Sequence, residues 1–282
     1  MKRDLEGRVF LITGANTGIG RSTALALADR GATLHLACRS EDRARPVMDE
    51  VIGRGGSARF LALDLADLAS VRACAEAFLA TGDPLHVLIN NAGLAGKPGL
   101  TRDGFELTFG VNHLGHFLLT ELLLDVLSES GSARIVNVAS QAHYRAESID
   151  WEALQRKTKS TTGLPEYSVS KLCNVLHAKE LARRLSGTSV TTYSLHPGVI
   201  ASDVWRNVPW PVRPLMKLFM KSNDEGAETS LHCATSQAAG SQSGLYYDDC
   251  APKKPSALAE DAALAAELAE RSRAWCGLSE PS

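Results

Sequence analysis

Val9-Phe-Leu-Ile-Thr-Gly-Ala-Asn-Thr-Gly-Ile-Gly20 decides the fold, because a short apolar run turns there into a glycine-rich loop. Ser22-Thr-Ala-Leu-Ala-Leu-Ala28 then continues with helical character, and Gly31 ends it. So short an apolar run bounded by a turn reads as a strand covered on both faces. Gly14, Gly18 and Gly20 allow positive φ and close backbone approach to phosphate oxygens, at the N-terminus of the helix that follows. Their spacing is not G-x-G-x-x-G. The nucleotide reading therefore rests on their position between strand and helix. A plain structural turn is the alternative for the glycines taken alone.

The unit recurs along the chain. Thr33 to Cys38 is an apolar run followed by a charged helix from Glu41 to Gly53. Strand Ala58 to Leu63, helix Asp67 to Ala80 and strand Leu85 to Asn90 come next. A long helix from about Arg102 to Ser128, strand Arg134 to Ala139, helix Pro165 to Leu185 and strand Val190 to His196 complete the pattern. Near-continuous apolar strands alternating with amphipathic helices predict an α/β, doubly wound Rossmann fold. Its central sheet should hold about seven mostly parallel strands, with helices on both faces and a ligand crevice at the strands' carboxyl ends. No internal repeat or linker interrupts residues 1–282, which read as one domain.

Composition narrows the function classes. At 282 residues with 44 % hydrophobic content, the chain can bury a substantial core. A formal net charge of -2 gives no electrostatic reason to expect a nucleic-acid partner. Six scattered cysteines without a C-x-x-C pair argue against zinc and a dense disulfide framework, and suggest a reducing compartment. The polar opening Met1-Lys-Arg-Asp4 lacks a signal-peptide apolar run, and no stretch reaches the roughly 18 apolar residues of a membrane span. The expectation is a cytoplasmic protein without integral membrane association.

The second strand ends at Ala37-Cys38-Arg39-Ser40. An NAD-preferring site places Asp or Glu near here for the ribose hydroxyls. Cys38 is neutral, and Arg39 suits a 2′-phosphate through charge-assisted hydrogen bonds. The alternative for Arg39 is a solvated position beside Glu41 and Asp42. Asp64-Leu65, at the third strand's end, is placed to contact adenine, and Asp64 can equally cap the following loop.

Thr13 to Gly20, Asn90-Asn-Ala-Gly93, Ser140 and Tyr167-Ser-Val-Ser-Lys171 together resemble the short-chain dehydrogenase/reductase family. The resemblance extends from about Gly7 to Gly277. It is closest to the retinol-dehydrogenase-like branch through Phe109 to Leu119, Arg134 to His143, Leu195-His-Pro-Gly198 and Leu245 to Cys250. Tyr167 and Lys171 stand i and i+4, so one helix face presents both. A free tyrosine titrates near pH ~10, and a neighbouring ammonium would lower that value. The resemblance implies that Tyr167 is the acid–base, that Ser140 holds the substrate oxygen, and that Lys171 bonds the nicotinamide ribose. Asn112 would support a water-linked proton relay. The cofactor, NADP(H), would be held by Gly14, Asn16, Thr17, Gly18, Ile19, Arg39, Asp64, Leu65, Asn91, Ala92, Gly93, Tyr167, Lys171, Pro197, Gly198 and Val199. No metal is required: His113 and His116 lack accompanying carboxylates or cysteines, and read as packing or hydrogen-bonding residues.

The sequence expectation is hydride transfer between NADP(H) and a small-molecule carbonyl or alcohol, in the reducing direction. A non-catalytic NADP(H)-binding regulator and a sugar-nucleotide epimerase or dehydratase are the alternatives. The segment from about 203 to 222 carries Val204-Trp205, Val208-Pro-Trp-Pro-Val212 and Leu218-Phe-Met220, where the family builds its substrate lid. It reads as a lid for lipophilic aldehydes or ketones, or as a helix packed on the core. Its interleaved Arg206, Arg213, Lys217 and Lys221 suit peripheral contact with an anionic membrane surface. The branch often has a second serine before the catalytic one, where this chain has Ala139. The family resemblance favours a homodimer or homotetramer.

Overall fold

The computed structural model describes residues 3–198 and 222–279. Val199 and nearly all of the expected lid lie outside them. Eight strands, β1 (Val9–Thr13), β2 (Thr33–Cys38), β3 (Ser57–Ala62), β4 (Val87–Asn90), β5 (Ala133–Val138), β6 (Val190–His196), β7 (Leu245–Asp248) and β8 (Ala251–Pro252), form one sheet. Its order is β3-β2-β1-β4-β5-β6-β7-β8. Every pairing is parallel except β7 with β8. The chain reverses its direction of travel across the sheet between β1 and β4, and that switch point is where a doubly wound fold opens its ligand crevice.

Alternation along the central strands explains why both faces are covered. Phe10 and Ile12 of β1 and Val87 and Ile89 of β4 belong to one buried cluster, while Leu11 and Leu88 belong to another. With a side-chain period of two, each strand feeds both layers. Helices α1 (Gly18–Ala28), α2 (Glu41–Gly53) and α8 (Asn223–Thr235) supply residues to the first cluster. Helices α3 (Leu68–Leu79), α5 (Gly115–Leu122), α7 (Leu164–Arg184) and α9 (Ala262–Trp275) supply the second. None of the described helices is long and apolar enough to cross a membrane.

The sheet agrees with the expected mostly parallel one of about seven strands; among the described residues it gains an eighth because two-residue β8 folds back on β7 across Asp249 and Cys250, both at positive φ (48° and 60°). Two residues are too few to show a hydrophobic period. The helix expected from Arg102 begins instead at α4 (Leu107–Phe109), since Gly104 takes φ 86° in a preceding turn. It widens to a π-turn at Gly110–Leu114, continues as α5, and resumes after Leu123 as α6 (Leu124–Glu129).

Candidate active site

The glycine loop is built by steric necessity. A Cβ on Gly14 would lie 2.9 Å from Ala92 Cβ, and one on Gly20 would lie 2.5 Å from Asn91 Nδ2 and 2.6 Å from the Gly14 carbonyl. Thus Gly14 and Gly20 let the loop close on Asn91-Ala92. Gly18 shares the positive φ of Gly14 (57° and 67°), but among the described residues a Cβ there would meet only Asn223 Oδ1, at 3.9 Å. Gly20→Ala is therefore expected to cost about 1–3 kcal/mol, as overpacking against backbone does. Urea denaturation, with a parallel titration of nicotinamide cofactor, checks it.

The remaining cofactor candidates share the same edge of the sheet. Thr17 begins α1 in extended conformation without a side-chain cap, and the first turn of α1 has no acidic residue. Unsatisfied backbone N–H groups there suit a pyrophosphate. These features fit a nicotinamide dinucleotide. Asn16 and Ile19 flank Thr17, the Gly14 N–H donates to the Ala37 carbonyl (2.9 Å), and burial raises the Cys38 thiol beneath the loop while the nearby backbone amides of Asn16, Ala15 and Gly14 oppose that rise. Arg39 follows β2 and is exposed. Glu41 pairs with Arg45 rather than with Arg39. Asp64 accepts a hydrogen bond from Ala66 N–H (3.1 Å), which is the loop-capping role. Leu65 is buried, and its carbonyl would lie 2.7 Å from a Cβ on Gly115, so this loop rests on α5. Pro197 and Gly198 leave the end of β6, with Gly198 at φ 93°.

Thr13, the last residue of β1, joins this loop to β4. Its Oγ accepts from the backbone N–H groups of Asn91 and Ala92, both at 2.9 Å, while Asn91 Nδ2 donates to the Thr13 carbonyl. On its other side Thr13 Oγ lies 2.8 Å from His116 Nε2, and His116 Nδ1 lies 3.0 Å from the Asn112 carbonyl. A carbonyl only accepts, so Nδ1 carries the proton and Thr13 donates to Nε2. Burial pushes His116 down to about 4, which keeps it neutral.

The four catalytic candidates converge beyond Gly93. Asn112 lies in the π-turn, a feature that often marks functional sites. Its Oδ1 accepts from Leu94 N–H (2.9 Å), and its Nδ2 donates to the Leu94 carbonyl and to Ser170 Oγ, both at 3.0 Å. A Cβ on Gly93 would sit 3.2 Å from Asn112 Oδ1 and 3.5 Å from Lys171 Nζ, so the β4 exit passes close between these two side chains. Tyr167 and Lys171 lie on α7, with Lys171 Nζ 5.7 Å from the Tyr167 ring centroid. Lys171 donates to the Val138 carbonyl (2.8 Å), which also accepts from Asn174 Nδ2 (3.2 Å). Ser140 follows β5 and accepts from Ala142 N–H (3.1 Å), capping its own 3₁₀ turn. Its side chain also offsets part of the rise that burial imposes on the Tyr167 phenol. The sequence reading missed the structural parts played by Thr13 and Ser170, and it gave His116 packing or hydrogen bonding without naming its partners. The i, i+4 spacing of Asn112 and His116 was the available signal.

The electrostatics correct one expectation. Burial raises the Tyr167 phenol above its ordinary value, and the group opposing that rise is the Ser140 hydroxyl. Lys171 was expected to lower it. Instead burial pushes Lys171 itself down to about 7, and its ammonium is committed to a backbone carbonyl.

A glycine turn at the switch point and a Ser–Tyr–Lys cluster across the crevice define a Rossmann-type nicotinamide oxidoreductase. Residues 8–153 match the family model for short chain dehydrogenases. The chain belongs to the short-chain dehydrogenase/reductase family, on the side of its retinol dehydrogenases. It is 47 % identical to human retinol dehydrogenase 11 over 270 residues, covering 94 % of this chain and 84 % of that one. To human retinol dehydrogenase 12 it is 47 % identical, covering 87 % and 79 %. Among solved structures, an uncharacterized protein from Mycobacterium paratuberculosis superposes with TM-score 0.79 at 32 % identity, covering 100 % of this chain and 99 % of that one. A 3-ketoacyl-(acyl-carrier-protein) reductase from Brucella melitensis, complexed with NADH, gives 0.68 at 27 % identity over 86 % of this chain and 96 % of its own.

Proposed function

We propose that this protein is an NADP(H)-dependent reductase of lipophilic aldehydes or ketones. The observation that carries the chemistry is the convergence of Asn112, Ser140, Tyr167 and Lys171 on the cofactor edge of the sheet. Bound nicotinamide would supply the hydride. The Ser140 hydroxyl orients the substrate oxygen beside the Tyr167 phenol, so that proximity and proton transfer act together. Because burial keeps the phenol protonated at neutral pH, Tyr167 is poised to donate its proton to the developing alkoxide. That favours reduction as the working direction. Lys171 and Asn112 hold the floor of the site, tied respectively to β5 and to the β4 exit.

Support for NADP(H) comes from Arg39, exposed after β2 and left by Glu41 to its own partner. Arg39→Ala is expected to weaken NADPH by about 1–3 kcal/mol while leaving NADH nearly unchanged. Equal losses in a titration with both cofactors would assign Arg39 a structural role. Support for a lipophilic substrate comes from the large apolar residues of the 203–222 segment, Trp205 and Trp210 among them. A turnover series of straight-chain aldehydes with each cofactor tests the whole reading. Each buried CH₂ is worth about 0.8 kcal/mol, so kcat/KM should climb with chain length until the pocket fills. Preference for short polar carbonyls would remove the lipophilic part and leave the oxidoreductase class. Absence of turnover with any carbonyl would favour a non-catalytic regulator.

A further inference from the structure

We propose that His143 is a positioning residue for Ser140, fixing the serine's seat by bridging it to the chain that leaves β8. The inference rests on the assignment of Ser140 to the reaction. His143 stands three residues after Ser140 in the 3₁₀ turn Gln141–Arg145 and is fully buried. Its Nδ1 lies 2.7 Å from the Ser140 carbonyl, and its Nε2 lies 3.2 Å from the backbone nitrogen of Ser256. The Ser140 carbonyl can only accept and the Ser256 N–H can only donate. One state of the ring satisfies both: neutral imidazole with the proton on Nδ1. Burial also holds the ring below its usual value, in keeping with the neutral form.

The surroundings lock the ring in place. Its centroid is 4.0 Å from that of Tyr144 and 4.8 Å from that of Tyr246 on β7. The Tyr144 hydroxyl donates to the Lys254 carbonyl, giving a second tie to the same segment. Gln141 Nε2 donates to Asp248 Oδ2 (3.2 Å), and Lys253 pairs with Asp248. The turn after the catalytic serine is therefore held from a point 113 residues away in sequence. Ser140 is extended just past β5, and its hydroxyl accepts from Ala142 N–H and offsets the rise that burial imposes on the Tyr167 phenol. If its carbonyl swings, the hydroxyl leaves the phenol. A displacement of this kind near the reacting atoms costs about 10–100-fold in rate.

Two variants separate the hydrogen bond from the ring. His143→Phe keeps an aromatic ring between Tyr144 and Tyr246 and deletes both side-chain polar contacts, while the backbone N–H at 143 keeps its 3.2 Å bond to the Ser140 carbonyl. His143→Asn places an amide N–H where Nδ1–H stands. Expected are a kcat about 10–100-fold lower for His143→Phe, unchanged cofactor Kd, and recovery of most of the rate in His143→Asn. In a Ser140→Ala background, adding His143→Phe should cost almost nothing more, since a residue that acts through Ser140 has nothing left to position. An equal penalty with and without Ser140 overturns the proposal, as does full activity of His143→Phe. Parent-like activity of Ser140→Ala overturns the assignment of Ser140 and this inference with it. An impaired Ser140→Ala with an independent His143 effect overturns the inference alone. Should His143→Phe fail to fold, His143→Asn in the two backgrounds decides: a rate near the parent supports the donor role, and a penalty that persists without Ser140 overturns it.

Discussion

Tyr167→Phe is expected to lower kcat for carbonyl reduction by about 10²–10⁴-fold, the usual contribution of a positioned acid. The affinity for nicotinamide cofactor should be retained, because the ring and its place on α7 remain. Only the phenolic hydroxyl, beside Ser140, is removed. Cofactor binding by fluorescence and single-turnover reduction separate the two quantities. A near-normal kcat in the folded variant would exclude Tyr167 as the proton donor. The direction of the shift at this residue gives a second check. In the parent the rate should hold through neutral pH and decline on an alkaline limb as the phenol ionises. Ser140 opposes the rise that burial imposes on Tyr167, so removing its hydroxyl should carry the limb of the residual Ser140→Ala activity to higher pH. A limb that moves downward, or stays, would show that another group sets it.

The parts of this site that sequence made legible are those fixed by local rules. Strands β1, β2 and β6 announced themselves as apolar runs ended by glycine, charge or proline, and their bounds held closely. Gly14, Gly18 and Gly20 fell where a strand meets a helix, and Tyr167 and Lys171 shared a helix face through their spacing alone. What stayed hidden depends on contacts between distant segments. The π-turn at Gly110–Leu114 is pinned by Asn112 bonds to Leu94 and Ser170, and no period in the sequence encodes it. The downward shift of Lys171 follows from a burial that i, i+4 spacing cannot reveal. Likewise the tie from His143 to Ser256 exists because β7 and β8 bring the chain back to the end of β5. Asp64 was read with two roles, and the loop cap is visible because it is local.

Acidification from pH 7 to pH 5 is expected to destabilise the folded chain steeply, because three histidines are buried as neutral rings behind the site. His113, His116 and His177 lie on the face of the π-turn, α5 and α7 that is turned into the core, and all are buried. His177 packs its ring against Phe117 and His113 at 5.1 and 5.6 Å between centroids. Burial pushes His177 down to about 3 and His116 to about 4, and it lowers His113 in the same sense. The unfolded chain titrates these rings near the ordinary value of about 6.5. Below that pH the unfolded state binds protons that the folded state refuses, so stability is present above about 6.5 and is lost as pH falls toward the folded values. One pKa unit is about 1.36 kcal/mol, so each fully buried ring contributes a loss of about 2 kcal/mol by pH 5. His35, His86 and His143 are lowered by burial too and add in the same direction. Urea midpoints measured at pH 7 and pH 5 give the total. His177→Phe keeps an aromatic ring against Phe117 and cannot titrate, so the stability lost between those two pH values should shrink by about 2 kcal/mol. An unchanged loss in that variant would mean that His177 takes up its proton without unfolding, and that its burial is looser than the packing around it requires.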